Sequence, residues 1–269
     1  GTVTDWSAQL SADAAAPTTL ELVEDGALHL CGGTIYSTIS QGSKTQNQII
    51  GHDAALSAEA AVVFQLSGDT QISGVSVWTS GRVVAAAAAD VTITDSVLTG
   101  SSGEYSGPTA FVLGNGAALS LSDVTVSSFA NGLIRNNLPG TEDAASSLHA
   151  ERTTFSDMNA IVYSADAQVS FVDVDVQDVW SVFFDVHTAT WSGGEGSADV
   201  VAYSLEDGES LSLSEVALTV GQVVGLSGTA WLEGSAVTVT GGTGDLISAD
   251  GSSTVDLTGW SFTDNDATP

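Results

Sequence analysis

Leu133-Ile134-Arg135 is one copy of a short apolar phrase that returns along most of the chain. Each copy begins with one or two apolar residues, and these starting positions lie 19 to 28 residues apart, with a mean step of 23. A period in the twenties built from short apolar runs is typical of a solenoid, in which each coil buries its inner face by stacking on the next coil. The nine copies begin at Val62, Val83, Ala110, Leu133, Ile161, Val182, Val201, Val224 and Leu246.

Two further runs follow the phrase in most coils, and both alternate apolar with polar residues, as in Val91-Thr92-Ile93-Thr94 before Val97-Leu98. Alternation with period 2 places Leu and Val inward and Ser and Thr outward on a strand. Runs this short and close together leave no room for crossover helices. We therefore predict an all-β protein, a single-stranded right-handed parallel β-helix solenoid of about nine to ten coils of ~23 residues. One polar turn residue separates the two runs, and we expect it to bond the backbone; it is Asp95, Asp123, Asp173 or Glu215.

The N-terminal coils carry a family resemblance. Leu28-His29-Leu30-Cys31-Gly32-Gly33-Thr34-Ile35-Tyr36 is similar to the opening of many secreted right-handed parallel β-helix proteins of the pectin-lyase-like group. Gln48-Ile49-Ile50-Gly51-His52 continues the likeness, although Gly32 stands where that family usually has Pro. The resemblance implies a secreted or surface bacterial protein and carries no catalytic residues with it.

The domain plan has three parts. Residues 1–18 form an N-terminal capping segment with a helical pattern over 5–16, residues 19–262 form the β-helix, and residues 263–269 form an acidic tail or the start of a linker. We expect the native chain to continue beyond Pro269, or another molecule to cover that end, since a bare last coil exposes a strand edge. Two coils are oversized, at 100–108 and at 136–147, and project loops.

The charge is strongly acidic, with four Lys+Arg against 33 Asp+Glu and a net charge of −29. Such a surface repels nucleic acid and anionic lipid, and no apolar run is long enough for a membrane helix. We therefore expect no nucleic-acid partner and no membrane insertion. The single cysteine, Cys31, excludes an internal disulfide, and its apolar neighbours predict a small core residue.

The second position of the repeated phrase carries no charge in nine coils. If it faces outward, one face bears an apolar stripe of the size that marks a partner surface. We expect this stripe to pack on another chain, a neighbouring domain, a second copy of this protein or the protein's own loops. Its predicted partner-binding residues are Val63, Val84, Phe111, Ile134, Val162, Phe183 and Ile247, with Ala202 and Gly225 between them.

Chemistry-bearing clusters are sparse. Arg135, His149, Glu151 and Arg152 form the best candidate catalytic group, and the pectin-lyase-like hydrolase signatures are missing. Asp173 and Asp175 are a weak candidate for Ca²⁺, which takes oxygen ligands. No other cofactor is expected, because the four histidines show no metal spacing. Five tryptophans recur near second strands, where burial in the core or stacking on sugars would explain them; they are Trp78, Trp180, Trp191, Trp231 and Trp260.

These observations predict a non-enzymatic extracellular or cell-surface protein, a structural or adhesin-like segment that presents a binding or self-association surface. Two alternatives stay open. One is a carbohydrate-active enzyme, either a polysaccharide lyase or a glycoside hydrolase. The other is a phage-type spike. Glycans are a second candidate ligand, besides a protein partner.

Overall fold

The computed structural model describes residues 10–41, 45–58, 62–101, 107–135, 145–163, 167–242 and 245–264. Every strand pairing among them is parallel, and the strands wind into a β-solenoid of about 10 turns with a spacing of about 21 residues. The prediction of a parallel β-helix with nine or ten coils is confirmed. Among the described residues no helix is long and apolar enough to cross a membrane.

The described residues form 25 strands. The first twelve are β1 (Thr18–Leu22), β2 (Gly26–Ile35), β3 (Ser37–Gln41), β4 (Asn47–Ala58), β5 (Val62–Leu66), β6 (Thr70–Ser73), β7 (Ser76–Thr79), β8 (Arg82–Ala87), β9 (Asp90–Gly100), β10 (Thr109–Gly114), β11 (Ala118–Ser127) and β12 (Asn131–Arg135). The remainder are β13 (Ser147–Glu151), β14 (Thr154–Tyr163), β15 (Gln168–Val172), β16 (Asp175–Asp185), β17 (Thr188–Ser192), β18 (Glu195–Leu205), β19 (Ser210–Ser214), β20 (Ala217–Leu226), β21 (Trp231–Ser235), β22 (Thr238–Thr240), β23 (Ile247–Ala249), β24 (Thr254–Asp256) and β25 (Ser261–Thr263).

Each central coil has three faces. The first face stacks β13, β15, β17, β19 and β21. The second face stacks the opening residues of β14, β16, β18 and β20 on one another. The third face stacks the closing residues of the same strands, together with β8, β10 and β12. A long strand such as β14 therefore passes round a corner from the second face to the third.

One continuous hydrophobic column runs up the inside of the third face. Its members pair in register from coil to coil, all but the last are at most 1% exposed, and Ile247 is partly buried. Stacking of one apolar residue on the next removes each from water, which is how a solenoid is stabilised. The column is Leu20, Ile39, Phe64, Val84, Phe111, Leu133, Val162, Phe183, Ala202, Val224 and Ile247.

The corner between the first and second faces is made by one left-handed residue in each coil. The four acidic turn residues of the sequence prediction all occupy it, with φ between 50° and 57°. Two of the backbone amides donate to the neighbouring coil, Asp173 N–H to the Ser192 carbonyl at 2.8 Å and Glu215 N–H to the Ser235 carbonyl at 3.0 Å. Asp tolerates this conformation better than most residues because its short polar side chain can bond locally. Acidic turns are therefore a consequence of corner geometry.

The N-terminal coils differ from the sequence prediction at Cys31 and in the capping segment. Cys31 is exposed, so the prediction of a core cysteine is wrong. The alternation of β2 explains it, because Leu28 and Leu30 point inward and the residue after each points outward. The predicted helical cap falls partly outside the described residues, and residues 10–17 contain turns and bends but no helix.

Candidate functional site

The predicted partner-binding stripe lies inside the protein for most of its members. Val63, Val84, Phe111, Val162 and Phe183 are all fully buried, and Ile247 packs against the core. The outward orientation assumed for this position is therefore wrong. The chain turns a corner within the phrase, so two consecutive side chains such as Val182 and Phe183 both face the interior. The side chain of Ile134 lies outside the described part of the structure.

The outward column of the third face lies one residue further along each coil. From Glu21 and Ser40 it runs through Gln65, Ala85, Val112 and the backbone position of Ile134 to Tyr163, which pairs with Asp185 at a register shift. Phe184 stacks on Tyr163, and the column continues with Tyr203, Gly225 and Ser248. Glu21 and Asp185 are the charged residues among these positions, so a largely uncharged column exists in a chain of net charge −29, at a register different from the predicted one. Ile134 and Gly225 belong to both columns.

Three aromatic side chains of this column form a compact cluster with Trp180 from the neighbouring corner. We call this cluster the aromatic ladder: Tyr163, Trp180, Phe184 and Tyr203. Tyr163 stacks on Phe184 with ring centroids 4.4 Å apart, and Phe184 stacks on Tyr203 at 4.9 Å. Trp180 lies tilted against Phe184 at 5.9 Å and against Tyr203 at 5.5 Å. Tyr163 and Tyr203 remain 41% and 49% exposed. The next coil carries Gly225 at this position, so the ladder has no aromatic side chain there.

An open groove of about 750 Å³ lies beside the ladder, at the corner between the second and third faces. Its lining includes Asp157, Asp178 and Asp199 from three successive coils, and Trp180 belongs to both the groove and the ladder. Asp157 and Asp178 are left-handed residues at this second corner, with φ of 53° and 51°. Strand register places Asp199 beside Trp180, because Val179 pairs with Ala198 and Ser181 with Val200. We call this feature the acidic groove.

The groove wall carries hydrogen-bonding side chains. Ser128 Oγ donates to Asp157 Oδ2 at 2.9 Å, which orients that carboxylate. Asn159 Oδ1 is buried without a hydrogen-bond partner among the described residues. The carboxylates of Asp157, Asp178 and Asp199 are the acceptors that the groove offers to a ligand rich in hydroxyl groups.

The predicted catalytic group does not form one cluster. Arg135 ends β12 on the third face, with a side chain outside the described part, whereas His149 and Glu151 point outward from β13 on the first face. Arg152 occupies the corner and donates to both carboxylate oxygens of Asp123, from Nε at 2.9 Å and Nη2 at 2.8 Å. It also contacts Glu151.

This pairing explains the electrostatics of the corner. The hydrogen bonds from Arg152, followed by one from Ser122, hold the pKa of the Asp123 carboxyl below its ordinary value. The guanidinium lies in a stack of corner acids that includes Asp95 and Asp173, whose charges also act on it. Arg152 therefore relieves repulsion between acids of adjacent coils, which is a structural role.

The two predicted calcium ligands, Asp173 and Asp175, have different roles in the backbone structure. Asp173 occupies the left-handed corner, and Asp175 Oδ1 accepts from the Glu195 amide at 3.3 Å. No group of three or more His, Cys, Asp and Glu suited to a metal ion is found within the described ranges.

The tryptophans divide between the two expected roles. Trp191 is 1% exposed and belongs to the core, and Trp180 and Trp260 are half-buried. Trp78 and Trp231 are 45% and 51% exposed on other faces. Trp180 is thus the one that combines a groove with aromatic neighbours among the described residues.

The acidic groove and the aromatic ladder escaped the sequence prediction, although a signal was present. Asp157, Asp178 and Asp199 follow one another at 21-residue steps. Tyr163, Phe184 and Tyr203 follow at steps of 21 and 19 residues. In a solenoid, residues one coil period apart are neighbours, so both sets could have been found by searching at the period itself.

No family model, curated protein or solved structure matches this chain. The parallel β-solenoid is therefore shown by the structure alone, and the likeness to pectin-lyase-like proteins stays an expectation from the N-terminal motifs.

Proposed function

We propose that this protein is a non-enzymatic, adhesin-like binding scaffold of the extracellular space or cell surface, and that the acidic groove with the aromatic ladder is its ligand-binding surface. The observation that carries the proposal is the position of Trp180, which joins a carboxylate-lined groove to an exposed aromatic cluster. Aromatic faces and edges provide apolar contact, and neighbouring oxygens fix orientation by hydrogen bonds. The resemblance of the N-terminal coils to secreted β-helix proteins of the pectin-lyase-like group supports secretion.

A glycan without acidic groups is the ligand class that fits best. Sugar rings present an apolar face for Trp180 and hydroxyl groups for Asp157, Asp178 and Asp199. A chain of net charge −29 with acids in the groove repels polyuronates and other anionic polymers. The groove crosses several coils, so it would accommodate an oligosaccharide of several residues.

A glycoside hydrolase is the second candidate, and one observation favours it. Hydrolases of this kind use two carboxylates about 5–10 Å apart, and stacked coils separate equivalent residues by about 4.8 Å. Strand register places Asp157 beside Asp178 on the adjacent coil, and the ~4.8 Å spacing of their backbones is close to the separation of about 5–5.5 Å between the carboxylates of a retaining enzyme. No Lys or Arg lines this groove among the described residues, so a uronate lyase finds no cation there.

Binding to a panel of neutral and acidic polysaccharides tests the proposal. We expect binding to a neutral glycan, with Trp180→Ala weakening it by about 2 kcal/mol, or roughly thirtyfold in Kd, as for a tryptophan at the centre of an interface. Trp78→Ala is the matched control, because Trp78 is exposed on another face. Equal binding by wild type and Trp180→Ala would contradict the proposed surface.

A reducing-end assay on the glycan that binds separates scaffold from enzyme. A scaffold leaves the polymer intact in the wild type. An enzyme releases new reducing ends, and Asp178→Asn would then abolish release while binding persists. Product formation would overturn the non-enzymatic proposal and support the hydrolase.

A further inference from the structure

A pair of histidines lies on the outer surface of the N-terminal coils, far along the chain from the acidic groove. His29 on β2 and His52 on β4 are both exposed. His29 Nδ1 lies 3.0 Å from His52 Nε2, and the rings are nearly parallel, with centroids 5.3 Å apart and an interplanar angle of 12°. Two ring nitrogens thus face each other in open solvent.

The strand register creates this pair. β2 and β4 are adjacent and parallel, with His29 opposite Ile50 and Cys31 opposite His52. His29 and His52 are therefore diagonal neighbours, 23 residues apart, which is one coil of the solenoid. Because Leu28 and Leu30 point into the core, the residue between them is held facing out.

The nitrogen separation suits a shared metal ion. With metal–nitrogen distances of about 2.0 Å, two ligands at 90° are about 2.8 Å apart and two at the tetrahedral angle about 3.3 Å. The observed 3.0 Å falls between these values. The two nitrogens face each other, so both rings must turn before their lone pairs converge on one ion, and the exposure of both side chains leaves room for this rotation.

We propose that His29 and His52 form a surface site for a divalent transition metal of the copper, nickel and zinc group, with the remaining positions held by water. Neutral imidazole is a preferred ligand of these ions, and Cu²⁺ binds most tightly in the series. The shared hydrogen moves to the far nitrogen of the imidazole that donated it, so a neutral pair releases no proton on binding. The charge of −29 raises the local concentration of cations.

Carboxylates would not substitute for this pair. The 33 Asp and Glu favour hard ions such as Ca²⁺ and Mg²⁺, whereas imidazole selects the later transition metals. The site is independent of the proposed glycan surface, so either proposal can fail without the other.

The test uses Cu²⁺ with the full chain carrying Cys31→Ser, which removes the neighbouring thiol as a ligand or reductant. An excess of Ca²⁺ occupies the carboxylates. Calorimetry and electron paramagnetic resonance then report affinity, stoichiometry and the number of bound nitrogens. We expect one ion per chain with coupling to two nitrogens.

Three variants decide the outcome. His29→Asn and His52→Asn should each weaken Cu²⁺ binding by at least about tenfold, since loss of even an outer-shell partner costs that much, and should remove one nitrogen coupling. His149→Asn, an exposed histidine on another coil, should change neither value. Oxygen-only coordination, an unchanged affinity in His29→Asn, or an equal loss in His149→Asn would overturn the proposal.

Discussion

Adjacent phenylalanines on β16 offer a direct test of how the coils are oriented. Phe183 is fully buried, stacks in register between Val162 and Ala202, and has its ring 5.3 Å from that of Phe171. Phe184, the next residue, is half-buried and belongs to the aromatic ladder. We predict that Phe183→Ala destabilises the protein severely and that Phe184→Ala does so mildly.

The magnitudes follow from what each ring contacts. Removing a buried phenyl ring costs about 3–5 kcal/mol, because apolar surface is lost and a cavity remains. Phe183 lies at the upper end, since its small neighbour Ala202 cannot expand to fill the space. Phe184→Ala loses its stacking contacts, each worth about 0.5–1.5 kcal/mol beyond burial, while solvent fills the space it leaves. We expect a total cost of about 2 kcal/mol for Phe184→Ala.

Hydrogen exchange and urea unfolding measure the difference. A solenoid is stabilised by contacts between neighbouring coils, so Phe183→Ala should raise exchange first in β14, β16 and β18. Phe184→Ala should leave exchange in the core strands nearly unchanged. Equal costs, or a larger cost for Phe184→Ala, would refute the inward assignment of Phe183 and return the third face to the originally predicted register.

Three further predictions concern the corners. The ionised Asp123 carboxylate stabilises the folded protein at pH values above its ordinary pKa of 3.8, and this stability is lost as the pH falls through its lowered folded-state pKa. Asp123→Asn should therefore be less stable than wild type at neutral pH and equally stable in strong acid, as measured by urea unfolding at each pH. Burial, with the charges of Asp185 and Glu206, raises the pKa of Glu209. The stability that the protonated Glu209 contributes is therefore present below pH 4.5 and lost as the pH rises through the raised pKa. Glu209→Gln should reduce this dependence of the unfolding free energy on pH. A Cβ on Gly51 would lie 2.1 Å from the Gly74 carbonyl oxygen, so Gly51→Ala should lower stability by about 1–3 kcal/mol, and an unchanged melting temperature would contradict that close approach.

The architecture could be predicted from sequence because a solenoid repeats its burial pattern. Alternation in runs such as Leu211-Ser212-Leu213 determines which side of a strand faces inward, and the structure has Leu211 and Leu213 fully buried. The turn acids are also predicted at the correct positions, since Asp95 and Glu215 both occupy the left-handed corner between the first and second faces. These features depend on local pattern, and local pattern is visible in the chain.

The orientation of the third face could not be predicted in the same way. Its paired residues are 19 apart for Phe183 and Ala202 but 29 apart for Leu133 and Val162. A mean period therefore aligns coils only to within a few residues, and an error of one residue exchanges inside for outside. At a corner two consecutive residues face inward, so alternation gives no correction there.

Candidate sites in a solenoid are best sought among residues on adjacent coils. His29 and His52 look unrelated along the chain, yet they lie 3.0 Å apart because one coil separates them. Asp157 and Asp178 are related in the same way, whereas Arg135 and Arg152, closer along the chain, belong to different faces of the structure. Residues a few positions apart along one coil are often separated by a corner and face different directions. Residues one period apart lie on adjacent coils, whose strands are about 4.8 Å apart. Chemistry that needs two groups within hydrogen-bond distance therefore arises more readily from residues one period apart than from residues a few positions apart.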